Sequence, residues 1–343
     1  MTVYFLTIFL SLFCSSIVSF GKDLYLKKSS RIFVFLLLVL PLILRQGIGT
    51  DYKNYVNIFN SIQLDSMVFS DLGWLLINKI VIYLNLGVQF IFVISGFLTI
   101  YFFYKDLTDK ELFSFIIIFL CFLYFPSYNI IRQILSLSII YYAIDKKNKY
   151  VKFCFFIFAC SIHFATIVLI LLFLPINVKK RNHYVFFMVG IILFLVFRIV
   201  PIQVIVAKLV SYLNPRLSLY ITSQVYSNGI NSSGLTLYLE VLYYILLYYY
   251  LDTKKISQKY FNICTFLFLS SMINYGAVFN FFIFARFKYF FYLFPLVCLK
   301  NERKSDIFVF INKMFLILFL LLSIKSNVIN GNNGITPYNS ILN

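Results

Sequence analysis

Long apolar runs, separated by polar stretches, follow one another along the whole chain. A helix that crosses a bilayer needs about 20 apolar residues, and tilting or local thinning of the bilayer accommodates shorter helices. By this rule we predict about twelve membrane-spanning helices in an all-α, polytopic helical bundle. The predicted spans are residues 2–20, 32–44, 88–104, 112–126, 129–144, 150–162, 164–176, 184–200, 236–251, 260–276, 279–299 and 307–324.

Two of these regions allow a second interpretation. Residues 2–20 resemble a signal peptide, but they lack a basic start and are followed by a short basic loop, so we expect a retained span. Residues 150–176 form either two short spans or two half-helices that meet at His163, which would lower the number of spans.

The longest polar stretches are predicted to form surface loops. The connections 45–87 and 201–235 are long, and the tail 325–343 is rich in asparagine and glycine. Within the first connection, Trp74–Tyr83 is apolar around most of a helix but contains an asparagine and a lysine. We expect an interfacial or re-entrant helix there. No repeat or soluble domain is visible, so residues 1–343 are predicted to form a single transmembrane domain.

Most of the positive charge lies in the short connections. Every second connection is basic, and these six loops hold 19 of the 30 lysines and arginines. They are residues 21–31, 105–111, 145–152, 177–183, 252–259 and 300–306. Because basic loops stay on the cytoplasmic side, we expect the two long connections, both termini and the tail on the outer side.

The composition agrees with a membrane protein and limits the chemistry. The chain is 62% hydrophobic and 12% charged, whereas soluble domains are roughly half apolar and about a quarter charged. The net charge of +18 is accounted for by the basic loops, so we expect membrane lipids and no nucleic acid as partners. The six cysteines lack metal-ligand spacing, and neither paired histidines nor a phosphate-binding loop occurs. We therefore expect no metal ion and no cofactor.

The stretch Arg45–Tyr52 directly follows an apolar run and is the first candidate site. Its two glycines allow a tight turn and a close approach to a ligand. Arg45 can bind a phosphate or carboxylate, and Asp51 is the nearest base or orienting group. Tyr52 and Trp74 can stack on sugars. The alternative is a membrane-exit turn with an interfacial arginine.

Charged and polar groups at the predicted outer turns form the second set of candidates. Arg132 lies at such a turn with Asn129 and Gln133 beside it, and the alternative is an arginine that extends to the interface. His163 lies at the turn of a helical pair, where it acts either in catalysis or as a hydrogen-bonding group between helices. Ionisable groups inside a bilayer are costly, which makes them functional candidates.

Arg286 and Lys288 lie within an aromatic, apolar run, which is an unfavourable place for two cations. They require an anion nearby. Within the chain only Glu240 or Asp51 is a candidate at that depth, and a ligand phosphate would serve equally well.

Five motifs occur in order between residues 40 and 300. They are Arg45-x-Gly47-x-Gly49-Thr50-Asp51-Tyr52-x-x-Tyr55, Asp71-Leu72-Gly73-Trp74 with Leu76 and Asn78, Asn129-x-x-Arg132-Gln133, His163, and Arg286 with Tyr289-Phe290. In order and spacing they resemble the EpsG/Wzy family of bacterial polysaccharide polymerases, whose products include O-antigen, capsule and exopolysaccharide. Family members more often carry Glu-Pro-Gly or Glu-x-Gly at Asp71-Leu72-Gly73, so this chain keeps the carboxylate on a shorter side chain.

The resemblance implies a lipid-linked oligosaccharide polymerase that is similar to the GT-C class of membrane glycosyltransferases. Such an enzyme works without a metal at the outer face of the bacterial inner membrane. It transfers a growing glycan from undecaprenyl diphosphate onto the non-reducing end of a lipid-linked repeat unit. A chain-length regulator and a flippase are implied partners.

The implied roles divide the candidate residues into two groups. The catalytic group contains a base, either Asp51 or His163, and the diphosphate-binding Arg132 and Arg286. The substrate-binding group is Arg45, Tyr52, Trp74, Asn129, Gln133, Lys288 and Tyr289.

Other functions fit the same pattern of spans. A flippase for the lipid-linked sugar also needs cations in the membrane, but in a central cavity, whereas the cations here are predicted to cluster on the outer side. An O-antigen ligase-like enzyme and an acyltransferase are further enzymatic alternatives. A transporter would show inverted repeats, and no repeat is visible in the sequence.

Overall fold

The computed structural model describes residues 1–64, 71–173, 177–200, 234–280, 284–299 and 306–341. Within these residues the secondary structure is helical, apart from one isolated β-bridge between Arg45 and Ser340. The chain divides into two compact units. The first contains Met1–Phe173 and Leu316–Asn343, and the second contains Leu174–Phe315.

The first unit begins with eight α-helices in its described part. They are α1 (Thr2–Phe20), α2 (Leu24–Ile43), α3 (Tyr52–Gln63), α4 (Leu72–Tyr83), α5 (Gln89–Tyr104), α6 (Asp109–Phe122), α7 (Ile131–Ile144) and α8 (Lys149–Ile162). Short 3-10 helices occupy Pro126–Tyr128 and Phe164–Leu172.

Helix α7 lies at the centre of the first unit. Every residue of α7 is buried except Arg132. The helix packs against α5 on one side and α8 on another, while α1 packs against α2 and α6. A helix that is apolar all round is favoured in the interior, because no face has to meet a polar environment. The first turn of α7 is therefore held in place by its surroundings.

Helices α3 and α4 lie in the connection 45–87. Helix α3 is amphipathic and buries Tyr55, Phe59 and Ile62 on one face. Helix α4 confirms the helix predicted within residues 74–83 and packs against α3 and α8. The sequence analysis did not predict α3, because its apolar positions are spaced along one face and do not form a continuous run.

The second unit contains the following described helices. They are a 3-10 turn Lys180–Asn182, α9 (His183–Ile199), α10 (Leu235–Tyr249), α11 (Gln258–Val278), α12 (Phe284–Phe291) and α13 (Leu293–Leu299). Helix α11 packs against α9, α10, α12 and α13 and is the central helix of this unit. Helix α14 (Asp306–Ser323) crosses from the second unit into the first and continues as a π-helix over Ile324–Ile329.

Several helices that follow a basic loop begin at a side-chain cap. Asp23 accepts a hydrogen bond from the Leu26 amide at 3.0 Å, and Asn148 accepts one from the Tyr150 amide at 2.8 Å. Such caps satisfy amide groups that have no partner within the helix and typically contribute about 1 kcal/mol each. The caps explain why α2 starts at Leu24, eight residues before the apolar run on which the predicted span was based.

Two predicted spans differ from the structure. Residues 164–176 were predicted as a span, but Phe164–Leu172 form a 3-10 helix directly after the turn at His163. The predicted span 279–299 contains two separate described helices, α12 and α13, instead of one continuous helix. The predicted outer loop 201–235 lies outside the described residues except for its last two positions.

Four described helices are long and apolar enough to cross a membrane by length and composition. They are Thr2–Phe20, Lys180–Ile199, Gln258–Val278 and Val309–Ile329. Four shorter apolar helices accompany them, at Leu72–Tyr83, Gln89–Tyr104, Ile131–Ile144 and Leu235–Tyr249. The all-α class is confirmed for the described residues, and the number of twelve spans stays a prediction.

Candidate functional site

Three helix ends of the first unit bring a guanidinium, a carboxylate and an imidazole together. Arg132 Nη1 donates to Asp71 Oδ2 at 2.6 Å, and His163 Nδ1 lies 3.9 Å from the same oxygen. The Phe164 amide donates to the other carboxylate oxygen of Asp71 at 3.1 Å. We call Asp71, Arg132 and His163 the Asp–Arg–His cluster.

Local structure explains how these side chains meet. Asp71 immediately precedes α4, Arg132 lies in the first turn of α7, and His163 ends α8 with an extended backbone (φ −151°, ψ 106°). The extended conformation at His163 breaks the helix and turns the next amide, that of Phe164, towards Asp71. The break in the helix at His163 therefore supplies the site with both an imidazole and a backbone hydrogen-bond donor.

Burial and charge act in opposite directions on Asp71. Its side chain is 8% exposed, and burial by itself raises the pKa of the carboxyl. The neighbouring His163, the positive charge of Arg132 and the Phe164 amide together outweigh burial and lower this pKa below its ordinary value. Asp71 is therefore an anion at neutral pH. The side chains of Arg132 and His163 are 23% and 24% exposed, so both keep a path to solvent or ligand.

The cluster combines an imidazole, which accepts a proton, with a guanidinium, which binds an anion. The Asp71 carboxylate lies 3.9 Å from the His163 Nδ1 atom, close enough to interact electrostatically with a proton that the imidazole accepts. A partly exposed arginine can bind phosphate oxygens in a bidentate manner. The ring of Tyr55 lies under Arg132, with the guanidinium carbon 5.9 Å from the ring centre, and limits its movement.

Arg45, predicted to bind a ligand anion, is buried inside the first unit and is only 2% exposed. Its guanidinium donates to the Tyr128 carbonyl and lies 4.9 Å from the Phe92 ring centre and 5.2 Å from that of Tyr128. Burial lowers the pKa of Arg45 to about 10, although nearby tyrosines oppose this, and the group stays protonated at neutral pH. The placement gives Arg45 a role in holding the Tyr128 backbone.

Residues Arg45–Thr50 are called the opening turn below. Of the other residues predicted near it, most are packed within the first unit. Trp74 is 1% exposed and meets Tyr55 edge-on with ring centres 5.6 Å apart, so its ring faces protein and has no room for a sugar. Tyr52 stacks on Phe92 at 4.7 Å and is half-buried. Asp51 lies immediately before α3 and remains half-buried.

Asn129 and Gln133, on either side of Arg132, are 6% and 5% exposed. The Asn129 amide group donates to the Asn333 carbonyl at 3.1 Å and accepts from Thr50 Oγ1 at 3.3 Å. The sequence placed Asn129 among the substrate-binding residues, whereas in the structure its side chain links two other segments of the chain.

The second unit contains a separate ionic cluster around Glu240 of α10. Lys288 Nζ lies 3.3 Å from Glu240 Oε1, and the hydroxyls of Tyr275 and Tyr292 donate to Oε2 at 3.0 and 3.2 Å. Lys288 therefore has the anionic partner that its apolar surroundings require. Arg286, two residues earlier on α12, is exposed.

Tyr289 completes the set of predicted residues on α12. The Lys288 ammonium lies 5.9 Å from the Tyr289 ring centre, and the Tyr289 ring meets Tyr292 edge-on at 5.7 Å. In this unit the structure brings Lys288 and Tyr289 close to the buried carboxylate of Glu240.

Asp71 and Glu240 were not among the catalytic and substrate-binding residues predicted from the sequence. Asp71 lies within a motif used for the resemblance, and its value as a partner for Arg132 depends on a pairing across 61 positions of sequence. Glu240 is the only carboxylate inside a predicted span, which was the signal for a buried ion pair. Among the described residues, no group of three or more His, Cys, Asp or Glu side chains is arranged to hold a metal ion.

The described fold and the two clusters define a multi-pass, all-α membrane protein with ionisable groups held in specific pairs. The chain belongs to the EpsG family, which matches residues 28–340. Membership in this family indicates a polysaccharide-polymerase-like membrane protein of the glycosyltransferase type. Searches of curated proteins and of solved structures return no match.

Proposed function

We propose that the protein polymerises oligosaccharide repeat units at the outer face of the bacterial inner membrane. In this reaction a growing glycan is transferred from undecaprenyl diphosphate onto the non-reducing end of a lipid-linked repeat unit. The observation that carries the proposal is the Asp–Arg–His cluster, which combines a group that accepts a proton with a group that binds phosphate.

In the proposed mechanism His163 is the general base. Its imidazole accepts the proton of the acceptor hydroxyl while the hydroxyl oxygen bonds to the anomeric carbon of the donor sugar. The bond between that carbon and the diphosphate oxygen breaks, and its electron pair leaves on the lipid diphosphate. Asp71 holds the imidazole and stabilises the positive charge that it gains. We prefer His163 to Asp51 as the base because the described structure pairs His163 with a carboxylate.

Arg132 in the first unit is the proposed ligand of the diphosphate, and Arg286 in the second unit is separately proposed to bind a phosphate group of a substrate. Negative charge develops on the leaving group, and preorganised cations stabilise it without a metal ion. Arg132 is held by Asp71 and stays partly exposed, and Arg286 lies on the exposed side of α12. Lys288 is paired with Glu240 and is proposed to add positive potential without losing its buried partner.

Apolar helix surfaces are proposed to hold the polyprenyl chains, and a flippase and a chain-length regulator are proposed partners. A flippase activity of this protein itself is the main alternative. It would move the lipid-linked sugar without changing covalent bonds, so it has no need of an imidazole oriented by a carboxylate.

The direct test uses purified protein in vesicles with an undecaprenyl-diphosphate-linked repeat unit as the only substrate. We expect a ladder of lipid-linked oligomers and release of undecaprenyl diphosphate, unchanged by excess EDTA. A substrate that moves between leaflets but is never extended would contradict polymerisation and favour the flippase. Loss of the ladder in EDTA, with recovery on adding a divalent cation, would contradict metal independence.

Variants of the two arginines test the diphosphate assignment. Arg132→Ala and Arg286→Ala should abolish polymer in cells, leaving single repeat units and normal amounts of protein. Lys79→Ala is the matched control, because Lys79 is an exposed cation on α4, the helix that Asp71 precedes. Polymer of normal length from either variant would contradict the phosphate-binding role proposed for that arginine.

A further inference from the structure

The end of the chain, Asn330–Ile341, lies against the opening turn and is called the carboxyl-terminal strap below. It joins the turn through an isolated antiparallel bridge between Arg45 and Ser340. Four backbone hydrogen bonds accompany the bridge: Gln46 N–H to Asn339 O (3.0 Å), Ile341 N–H to Leu44 O (2.9 Å), Gly49 N–H to Gly334 O (2.9 Å) and Thr50 N–H to Asn333 O (3.3 Å). The predicted polar tail is therefore an ordered part of the first unit.

Buried side chains anchor the strap to helices at the start of the chain. Ile335 is 0% exposed, and its carbonyl accepts a hydrogen bond from the Tyr4 hydroxyl at 2.6 Å. The Tyr338 hydroxyl donates to the Pro41 carbonyl at 3.1 Å, and its ring meets that of Tyr4 edge-on at 5.6 Å. These contacts bury an apolar residue and satisfy polar groups, which a freely moving tail does not do.

Through Asn129, the strap contacts the segment that leads into α7 and the cluster residue Arg132. The Asn333 carbonyl accepts from both the Thr50 amide and the Asn129 side chain, so one residue of the strap ties the opening turn to the segment before α7. Asn129 lies three residues before Arg132. Arg45 holds the adjacent carbonyl of Tyr128 from the other side.

We propose that the carboxyl-terminal strap is a fixed positioning element of the active site, and that Asn129 and Arg45 act through it rather than on the substrate. The opening turn holds the Tyr128 carbonyl, and the strap holds the Asn129 side chain. Together they fix the segment that leads into the first turn of α7, which presents Arg132 to Asp71. This inference rests on the polymerase function proposed above and adds the last residues of the chain to the machinery.

The first arm of the test locks the strap in place. Gln46 and Asn339 are both exposed and are hydrogen-bonded neighbours across the bridge, which makes a Gln46→Cys/Asn339→Cys pair suitable for a disulfide. Treatment with copper phenanthroline supplies the oxidant. A fixed strap predicts that the cross-linked protein still polymerises at the rate of the reduced protein.

The second arm loosens the strap. Ile335→Ala removes its buried anchor, and we expect polymerisation to fall about 10- to 100-fold, because small displacements of catalytic groups have effects of this size. The same variant in the cysteine-pair background should recover most of its activity on oxidation and lose it again on reduction. Rescue by a cross-link distinguishes positioning from a general loss of folding.

Asn129→Ala provides an independent arm. If Asn129 and Ile335 act along one path, the loss in the Asn129→Ala/Ile335→Ala double variant should be much smaller than the product of the two single losses. Both single-cysteine variants and oxidised wild type serve as controls for the native cysteines, of which Cys154 is exposed.

The outcomes separate this inference from the proposed function. If wild type polymerises but the cross-link blocks the reaction reversibly, the strap has to move and the inference is wrong. Wild-type activity of Ile335→Ala at equal protein level also overturns it. If wild type itself never extends the repeat unit, the proposed function fails first.

Discussion

Asp71 occupies a position where a small change of side chain has a large effect on two neighbours. It holds Arg132 at 2.6 Å and lies 3.9 Å from the His163 imidazole, and it is itself 8% exposed. A charge in such a setting is stabilised only while its partners remain in place. Substitutions of Asp71 therefore test the proposed chemistry most directly.

Asp71→Asn keeps the shape of the side chain but removes its charge, and we expect a loss of polymerisation approaching that of His163→Ala. A positioned general base typically contributes about 10²- to 10⁴-fold in rate. Asp71→Glu should retain much of the activity, since it keeps the carboxylate that pairs with Arg132. The measurement is the initial rate of oligomer formation by purified variants in vesicles. An active Asp71→Asn variant would show that the charge of Asp71 has no part in the reaction.

The lowered pKa of Asp71 predicts how the cluster responds to acid. A carboxylate with a lowered pKa contributes its full stabilisation above its ordinary value of about 3.9 and loses it only as the pH falls through the lower folded-state value. A fall in rate between about pH 7 and 5 is therefore not due to Asp71. We expect the Asp71 carboxyl to stay ionised throughout this range, as measured by the difference in infrared spectra between wild type and Asp71→Asn. A carboxyl band that becomes protonated between pH 7 and 5 would contradict this.

At the scale of the element, the turn Arg45–Thr50 is held by contacts on both sides. Gly49 has a φ of +99°, and a Cβ atom there would lie 2.6 Å from the Tyr128 carbonyl oxygen and 2.7 Å from Asn129 Oδ1. Gly47 also has a positive φ, of +65°, but a Cβ atom there would have no other atom within 4 Å. An alanine at Gly47 would therefore meet only an unfavourable backbone conformation, whereas an alanine at Gly49 would also clash with neighbouring atoms.

Gly49→Ala should greatly reduce polymerisation and lower the thermal stability, because the new methyl group displaces the segment that precedes α7. Gly47→Ala is the matched control, and it should cost only the left-handed backbone penalty of about 1–2 kcal/mol. Melting curves of the purified proteins and polymer yield in cells measure the two effects. Equal behaviour of the two variants would mean that the close approach at Gly49 has no consequence for the site.

At the scale of the whole molecule, the alternation of basic and non-basic connections predicts its orientation in the membrane. Gln46 lies in a predicted outer loop, and Lys254 lies in the predicted cytoplasmic loop 252–259. Gln46 and Lys254 are both exposed. The bilayer acts on the chain as a whole here, since the orientation follows from all loops together.

Labelling with a membrane-impermeant maleimide measures this orientation. In a background that lacks the exposed Cys154, Gln46→Cys should be labelled in intact spheroplasts, and Lys254→Cys only after the membrane is permeabilised. Labelling in the reverse order would place the opening turn in the cytoplasm and exclude a reaction at the outer face.

The sequence by itself determined the all-α membrane class, the positions of most helices and the family. These properties depend on local information: the length of an apolar run, the residues at its ends and the order of short motifs. Helices α5, α7, α9, α10 and α11 begin and end within two residues of the predicted spans. The amphipathic α3 was missed, because its apolar positions lie along one face and form no continuous run. Residues 164–176 do form an apolar run and were predicted as a span, but Phe164–Leu172 fold as a 3-10 helix after the break at His163.

Only the tertiary structure decided which candidates act together. Arg45 and Arg132 look equally suited to bind an anion in the sequence, yet packing buries Arg45 against Phe92 and Tyr128 and leaves Arg132 partly exposed beside Asp71. The strap pairs with the opening turn from the far end of the chain. Such pairings depend on how helices pack, and residue spacing alone carries no information about contacts between distant segments.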